Sequence, residues 1–122
     1  MAGATQTRPR EAANERRIGG IFHALADPTR RAVVQRLSNG PASTTELARP
    51  FRMALPSFAQ HLDVLENAGM VESRKEGRLR LYRLVPTPLQ AAEDWIVAQR
   101  SIWEQRLDRL QAYVEGTKPT DA

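Results

Sequence analysis

The chain has 122 residues, with 18 Lys and Arg against 14 Asp and Glu, and no cysteine. That length fits one domain, and the missing thiols exclude disulfides, thiolate metal sites and sulfur-based redox sensing. Two distant histidines, His23 and His61, are too few for a typical structural zinc site. No stretch approaches the roughly 18 uninterrupted apolar residues of a membrane span. The polar start MAGATQTRPREAANERR lacks the apolar run of a secretory signal, so a cytoplasmic protein is expected. The charge is uneven: residues 1–85 carry 14 Lys and Arg against 8 Asp and Glu, and residues 86–122 carry 4 against 6. The basic part suits either a polyanionic partner or ordinary solvated arginines.

Residues 1–14 read as a flexible arm and residues 116–122 as a polar tail, leaving 15–115 as the folded domain. A first helix ending at Ala26 is predicted from Ile18, Ile21, Phe22 and Leu25, spaced by three and four. Asp27-Pro28 opens a second, because Asp can cap free N–H groups and Pro suits the first helical position. Ala32, Val33 and Leu37 form its inner side, and Asn39-Gly40-Pro41 ends it. Ser43-Thr44-Thr45-Glu46 is a capping box starting a short third helix that buries Leu47, Ala48 and Phe51. After a turn at Arg52-Met53-Ala54, a fourth helix runs from Leu55 to Asn67 on a core stripe of Leu55, Phe58, Leu62 and Leu65, and Ala68-Gly69 stops it.

The period then changes to two. Met70–Arg74 and Leu79–Leu84 read as strands around a polar tip in which Gly77 takes positive φ, with Tyr82 under the hairpin. Pro86-Thr87-Pro88 breaks the chain, and a long helix follows from Leu89 to Val114. Its stripe is Ala92, Ile96, Gln99, Trp103, Leu107, Leu110 and Val114, near a 3.5 repeat and widened by Trp95 and Ile102. Either this is an intramolecular core helix or it is a dimer seam; its length and two tryptophans favour the seam.

The fold class expected is mainly α with a two-stranded β-wing, in the order α-α-α-α-β-β-α. Third and fourth helices joined by a three- or four-residue turn match a helix-turn-helix, whose second helix enters the major groove. Opposite the core stripe of the fourth helix stand Ser57, Gln60, His61 and Val64. The first three can hydrogen-bond base edges; a plain amphipathic surface helix would show the same stripe. The neighbouring hairpin crowds Arg74, Lys75, Arg78 and Arg80 around one turn. These like charges repel unless a polyanion neutralises them, as a wing on phosphates would.

HALADPTRRAVVQRLSNGPASTTELA followed by LPSFAQHLDVLENAGMVESRKEGRLRLYRL closely resembles the ArsR/SmtB family of winged-helix repressors over roughly residues 18–114, with ALADPTRR, QHLDVLENAGMV and EGRLRLYRL as the most specific pieces. The resemblance implies a dimer through the first and last helices, the fourth helix as DNA reader and the hairpin as wing. The WIVAQRSIWEQRLDRLQAYV helix looks like the branch with a Trp-rich C-terminal helix. Three departures stand out. ELARPF lacks the Cys-x-Cys of the family's metal sensors. The last helix offers Glu93, Asp94, Glu104 and Asp108 but no histidine, so its metal site is absent too. Ala54 and Ala59 stand where family members place serines, which removes an N-cap.

The DNA-binding set expected is Thr44, Thr45, Pro56, Ser57, Gln60, His61, Arg74, Lys75, Arg78 and Arg80. The dimer set is Ile18, Ile21, Phe22, Trp95, Ile96, Gln99, Ile102, Trp103, Leu107 and Leu110. His23 is expected partly buried at the seam, and Arg30 and Arg31 in salt bridges with nearby carboxylates. No metal or other cofactor, no catalytic group and no membrane contact is expected, since no nucleophile–base pair, carboxylate dyad or phosphate loop occurs. The expected function is a homodimeric repressor on an imperfectly palindromic duplex, released by an unidentified small-molecule effector or acting as an autorepressor. The alternative is a winged-helix protein-interaction module without DNA binding.

Overall fold

A computed structural model describes residues 8–116. The described chain forms two compact units, divided after Ala92. Its elements are α1 (Pro9–Leu25), α2 (Pro28–Leu37), β1 (Ala42–Ser43), α3 (Thr44–Ala48), α4 (Leu55–Asn67), β2 (Val71–Glu76), β3 (Leu79–Leu84) and α5 (Pro86–Gly116).

The first unit is built around Ile21, Val33, Leu37, Leu47, Phe58, Leu62, Leu65, Met70 and Val71, all buried. Each helix of the unit contributes to this core from one face, as the three-and-four spacing requires. Local signals set the helix ends. Asp27 Oδ2 accepts from the amides of Thr29 (2.8 Å) and Arg30 (3.2 Å), closing the start of α2. Ser43 Oγ accepts from the Glu46 amide at 3.2 Å while Glu46 Oε1 accepts from the Ser43 amide at 3.0 Å, which completes the capping box. The end of α4 is a Schellman motif: the Gly69 amide donates to Glu66 O and the Met70 amide to Leu65 O. Gly69 sits at φ 76°, a conformation that costs glycine no Cβ clash.

Burial pushes the Asp27 carboxyl upward, but the hydrogen bonds from the Arg30 and Thr29 amides, with the nearby Arg30 charge, outweigh it and hold the group below its ordinary 3.8. The Glu46 carboxyl is also lowered, chiefly by the Ser43 amide and hydroxyl. A carboxyl depressed in the folded state stabilises the fold above its unfolded value, and that contribution disappears as pH falls through the lower folded value. Asp27→Asn is therefore expected to lower the melting temperature at neutral pH and to converge with the parent chain in acid below pH 3.8. Paired melts across that range check it.

Four expectations are corrected. The helix α1 begins at Pro9, so residues 9–14 are helical rather than part of an arm; proline at a first helical position forfeits only an N–H that has no intrahelical acceptor. The remainder of the expected arm, and the tail beyond Gly116, lie outside the described residues. The same physics starts α5 at Pro86: the Pro-Thr-Pro read as a breaker is its first turn. The sheet has three strands in the order β1-β3-β2, with Ala42 opposite Tyr82 and Ser43 opposite Leu81. A two-residue strand is too short to carry a period. Finally, Leu55 is 61% exposed and Ala32 is exposed, whereas Val34 is buried. The core stripe of α4 therefore starts at Phe58, one turn later than the pattern implied.

The second unit is α5 from Glu93 onward. Its side chains are exposed apart from a half-buried Gln99. Among them are Trp95, Ile96, Ile102, Trp103, Leu107, Leu110, Tyr113 and Val114. Arg106 lies 5.8 Å over the Trp103 ring, and Arg100 pairs with Glu104 one turn on. Among the described residues no helix is long and apolar enough to cross a membrane.

Candidate nucleic-acid interface

The helices α3 and α4 are separated by Arg49–Ala54, and Phe51 from this segment stacks on Phe58 of α4 with ring centroids 5.5 Å apart. That apolar anchor seats the turn against α4. With Phe58, Leu62 and Leu65 facing the core, helical geometry turns Ser57, Gln60 and His61 outward. Ser57 and Gln60 are exposed and His61 is half-buried, and Val64 is half-buried at the margin of the core. Ala54 gives α4 no side-chain cap, as the sequence implied, and Pro56 is exposed in the first turn.

The hairpin β2–β3 is closed by Gly77 and Arg78, with Glu76 opposite Leu79. Gly77 has φ 62° and no non-glycine residue has positive φ among those described, the pattern of a II′ turn. Register places Lys75 directly opposite Arg80. Like charges so placed are mutually destabilising. Arg80 is partly relieved: it donates to Ser73 Oγ at 2.8 Å, and Ser73 Oγ donates to Glu66 Oε2 at 2.9 Å, tying the wing to α4. Arg74 pairs with Glu76 at 2.8 Å, and Arg83 with Glu72 on the same face of the sheet. Of the four wing cations expected at phosphate, Lys75 and Arg78 project from the tip, whereas Arg74 and Arg80 are engaged within the hairpin.

The remaining expected contacts separate in the same way. Thr45 is exposed, but Thr44 is half-buried. Tyr82 is buried beneath the wing, and that burial pushes its phenol upward. Arg30 and Arg31 do not form salt bridges with carboxylates as their main contacts. Both cap the end of α1: Arg30 Nε donates to Ala24 O at 2.7 Å and a terminal nitrogen to His23 O at 3.0 Å, while Arg31 donates to Leu25 O at 2.8 Å. The Ala24 and Leu25 carbonyls lie in the last turn, where carbonyls lack intrahelical partners, and the His23 carbonyl is shared with the Ala26 amide, so all three have capacity for a guanidinium. His23 is exposed on the single protomer, so any burial at a seam would come from a second chain. Sequence reasoning missed two cations, Arg49 and Arg52, which stand exposed at the turn between α3 and α4; their position within a helix-turn-helix was the available signal.

Of the dimer set, Ile21 is removed. It is 0% exposed in the protomer's own core and cannot reach a second chain. Ile18 and Phe22 remain half-buried on α1. No cluster of three or more His, Asp or Glu able to hold a metal occurs among the described residues. A hollow of about 200 Å³ on the outer face of the sheet contains Arg74 and Arg83, but each is neutralised by its own glutamate.

A short capped helix, a turn, an outward-polar helix and a cationic hairpin define a winged helix-turn-helix protein. Comparison with known proteins agrees. A helix-turn-helix domain family matches residues 25–74. An HTH-type transcriptional regulator of Mycobacterium tuberculosis is 49% identical over 70 residues, a match covering 57% of this chain and 65% of that relative. The transcriptional repressor SdpR of Bacillus subtilis is 30% identical over 80 residues, 66% of this chain and 89% of SdpR. The arsenical resistance operon repressor of Escherichia coli is 32% identical over 98 residues, 79% of this chain and 80% of that protein. The crystal structure of an ArsR family transcriptional regulator superposes with a TM-score of 0.71 at 50% identity, covering 74% of this chain and 93% of that one. A homodimeric winged helix-turn-helix DNA-binding domain from Mycobacterium bovis superposes with a TM-score of 0.63 at 25% identity, covering 80% of this chain and 93% of that one. The chain belongs to the ArsR family of winged helix-turn-helix transcriptional regulators.

Proposed function

We propose that this protein is a homodimeric transcriptional repressor that binds an imperfectly palindromic DNA duplex. The observation that carries the reading is the juxtaposition, on one unit, of an outward polar face on α4 with a hairpin whose tip cations Lys75 and Arg78 are exposed. The helix supplies base readout from Ser57, Gln60 and His61. The wing tip, with Arg49, Arg52 and Thr45 around the turn, supplies phosphate contacts. Base contacts discriminate sequences, whereas phosphate contacts strengthen binding to every duplex. Dimerisation through α1 and α5 would place two reading helices on half-sites about one helical turn apart. Bound over a promoter in the cytoplasm, such a dimer blocks polymerase. A small-molecule effector would act by favouring a dimer in which that spacing is wrong, since only differential affinity shifts the balance.

The two contact types separate by mutation. Gln60→Ala is expected to lose roughly 5- to 150-fold on a selected operator and little on random duplex, the value of a bidentate base contact. Arg78→Ala is expected to weaken both duplexes alike and to reduce the salt slope by about 1 per contact removed. Fluorescence anisotropy on both duplexes checks it. Parallel losses for the two variants would overturn the assignment of helix and wing. The protein-interaction alternative predicts no duplex binding at low salt.

A further inference from the structure

His61 shares the outward face of α4 with Gln60 and Ser57, but its ring is held from behind. A terminal nitrogen of Arg30 lies 3.1 Å from His61 Nδ1. A guanidinium has only donors, so Nδ1 must accept, and the ring is a neutral imidazole with its proton on Nε2. The Asp27 carboxylate is 3.8 Å from the same Nδ1, beyond hydrogen-bond reach, and already accepts from two amides. Arg30 is itself pinned, through its Nε to Ala24 O and its other terminal nitrogen to His23 O. One guanidinium therefore joins the end of α1 to the reading face of α4. Among the described residues no buried side-chain nitrogen or oxygen lacks a partner, and no protein group bonds Nε2. The Nε2–H is therefore open to the surface.

We propose that Arg30 is a positioning residue that fixes the His61 tautomer, so that His61 presents a single, oriented donor to the N7 of a purine in the major groove. The inference rests on α4 reading a duplex. N7 is the acceptor that adenine and guanine share there, and every base pair carries one purine. One donor at that place distinguishes purine from pyrimidine on one strand without distinguishing A from G. Each half-site should therefore hold one position that accepts either purine and rejects both pyrimidines.

The test has two arms on the full chain. Long-range proton–nitrogen spectra of the ¹⁵N-labelled protein at alkaline pH report the His61 tautomer without DNA. The expected result is Nε2–H in the parent protein and a mixture of tautomers in Arg30→Lys, which keeps the charge but not the three-way fork. For the second arm, a duplex selected by the protein from a random pool is rebuilt with each purine replaced in turn by its 7-deaza analogue. One position per half-site should lower parent affinity about 5- to 10-fold. That position should have no effect on His61→Ala, whose fold is checked by circular dichroism, and a reduced effect on Arg30→Lys. A parent Nδ1–H tautomer, or 7-deaza losses unchanged in His61→Ala, overturns the proposal. If no duplex is selected at all, the reading of α4 itself fails and takes the purine assignment with it, while the tautomer is judged from the spectra alone.

Discussion

Replacing Trp103 and Leu107 together with aspartate is expected to convert the protein to a monomer and to abolish tight operator binding. The two residues are 60% and 58% exposed on α5. They belong to an apolar stripe, Ile96, Trp103, Leu107 and Leu110, whose side chains are exposed. Water contact with that much hydrocarbon is unfavourable by about 25 cal/mol per Å², and large exposed patches of this kind mark association surfaces. Placing two carboxylates per chain in a paired seam leaves them desolvated without partners, which is far more costly than losing the side chains they replace. A dimer holds its second half-site at high effective concentration, so a monomer should lose about 10²- to 10⁴-fold on a two-half-site duplex. Sedimentation velocity reads the assembly state and anisotropy the affinity. The same change should leave the helical content intact, because neither side chain is part of the first unit's core. A variant that stays dimeric would move the seam elsewhere.

The second large effect is expected one residue from the reading surface. Phe58 is 0% exposed, is the largest fully buried side chain, and stacks on Phe51. Phe58→Ala removes that stacking and leaves a cavity between α4 and the rest of the core, at a cost of about 3–5 kcal/mol. A domain of this size has only about 5–15 kcal/mol to lose, and each kcal/mol lowers the melting temperature by roughly 4–8 °C. The variant should therefore melt tens of degrees lower by circular dichroism and lose all duplex binding with its fold. Ser57→Ala, exposed one position earlier, should change stability by less than about 0.5 kcal/mol. A Phe58→Ala variant as stable as the parent would contradict the packing of α4.

These contrasts show which parts of the site were legible in the sequence. Periodicity located α4, because Phe58, Leu62 and Leu65 repeat at helical spacing and Ala68-Gly69 marks its end, although Leu55 does not belong to the buried stripe. The capping box at Ser43 and the Asp27 cap were readable because each acts within a few residues of its partner. Long-range pairing was not. Nothing local tells Arg30 to cap α1 and to reach His61 across thirty-one positions, or tells Arg80 to bond Ser73. For that reason the sequence did not show that Arg74 and Arg80 are engaged within the hairpin, or that Arg49 and Arg52 stand exposed at the turn between α3 and α4. Ile21 fits an apolar stripe equally well whether that stripe meets its own core or a second chain; only burial separates the two. Strand β1 was invisible because two residues cannot show alternation, and the prolines of α5 misled because Pro stops a helix from within but is welcome in its first turn.

Affinity for a selected operator duplex, measured between 50 and 200 mM salt beside a random duplex of equal length, tests the account most directly. Lys75, Arg78, Arg49 and Arg52 from each of two protomers would neutralise eight phosphates, for a slope of log affinity on log salt of about −7 and a loss of roughly 10⁴-fold over that range, with the operator retaining an advantage throughout. Binding that ignores salt, or no duplex binding at 50 mM salt, would show that the polar helix and its cationic hairpin serve some other partner.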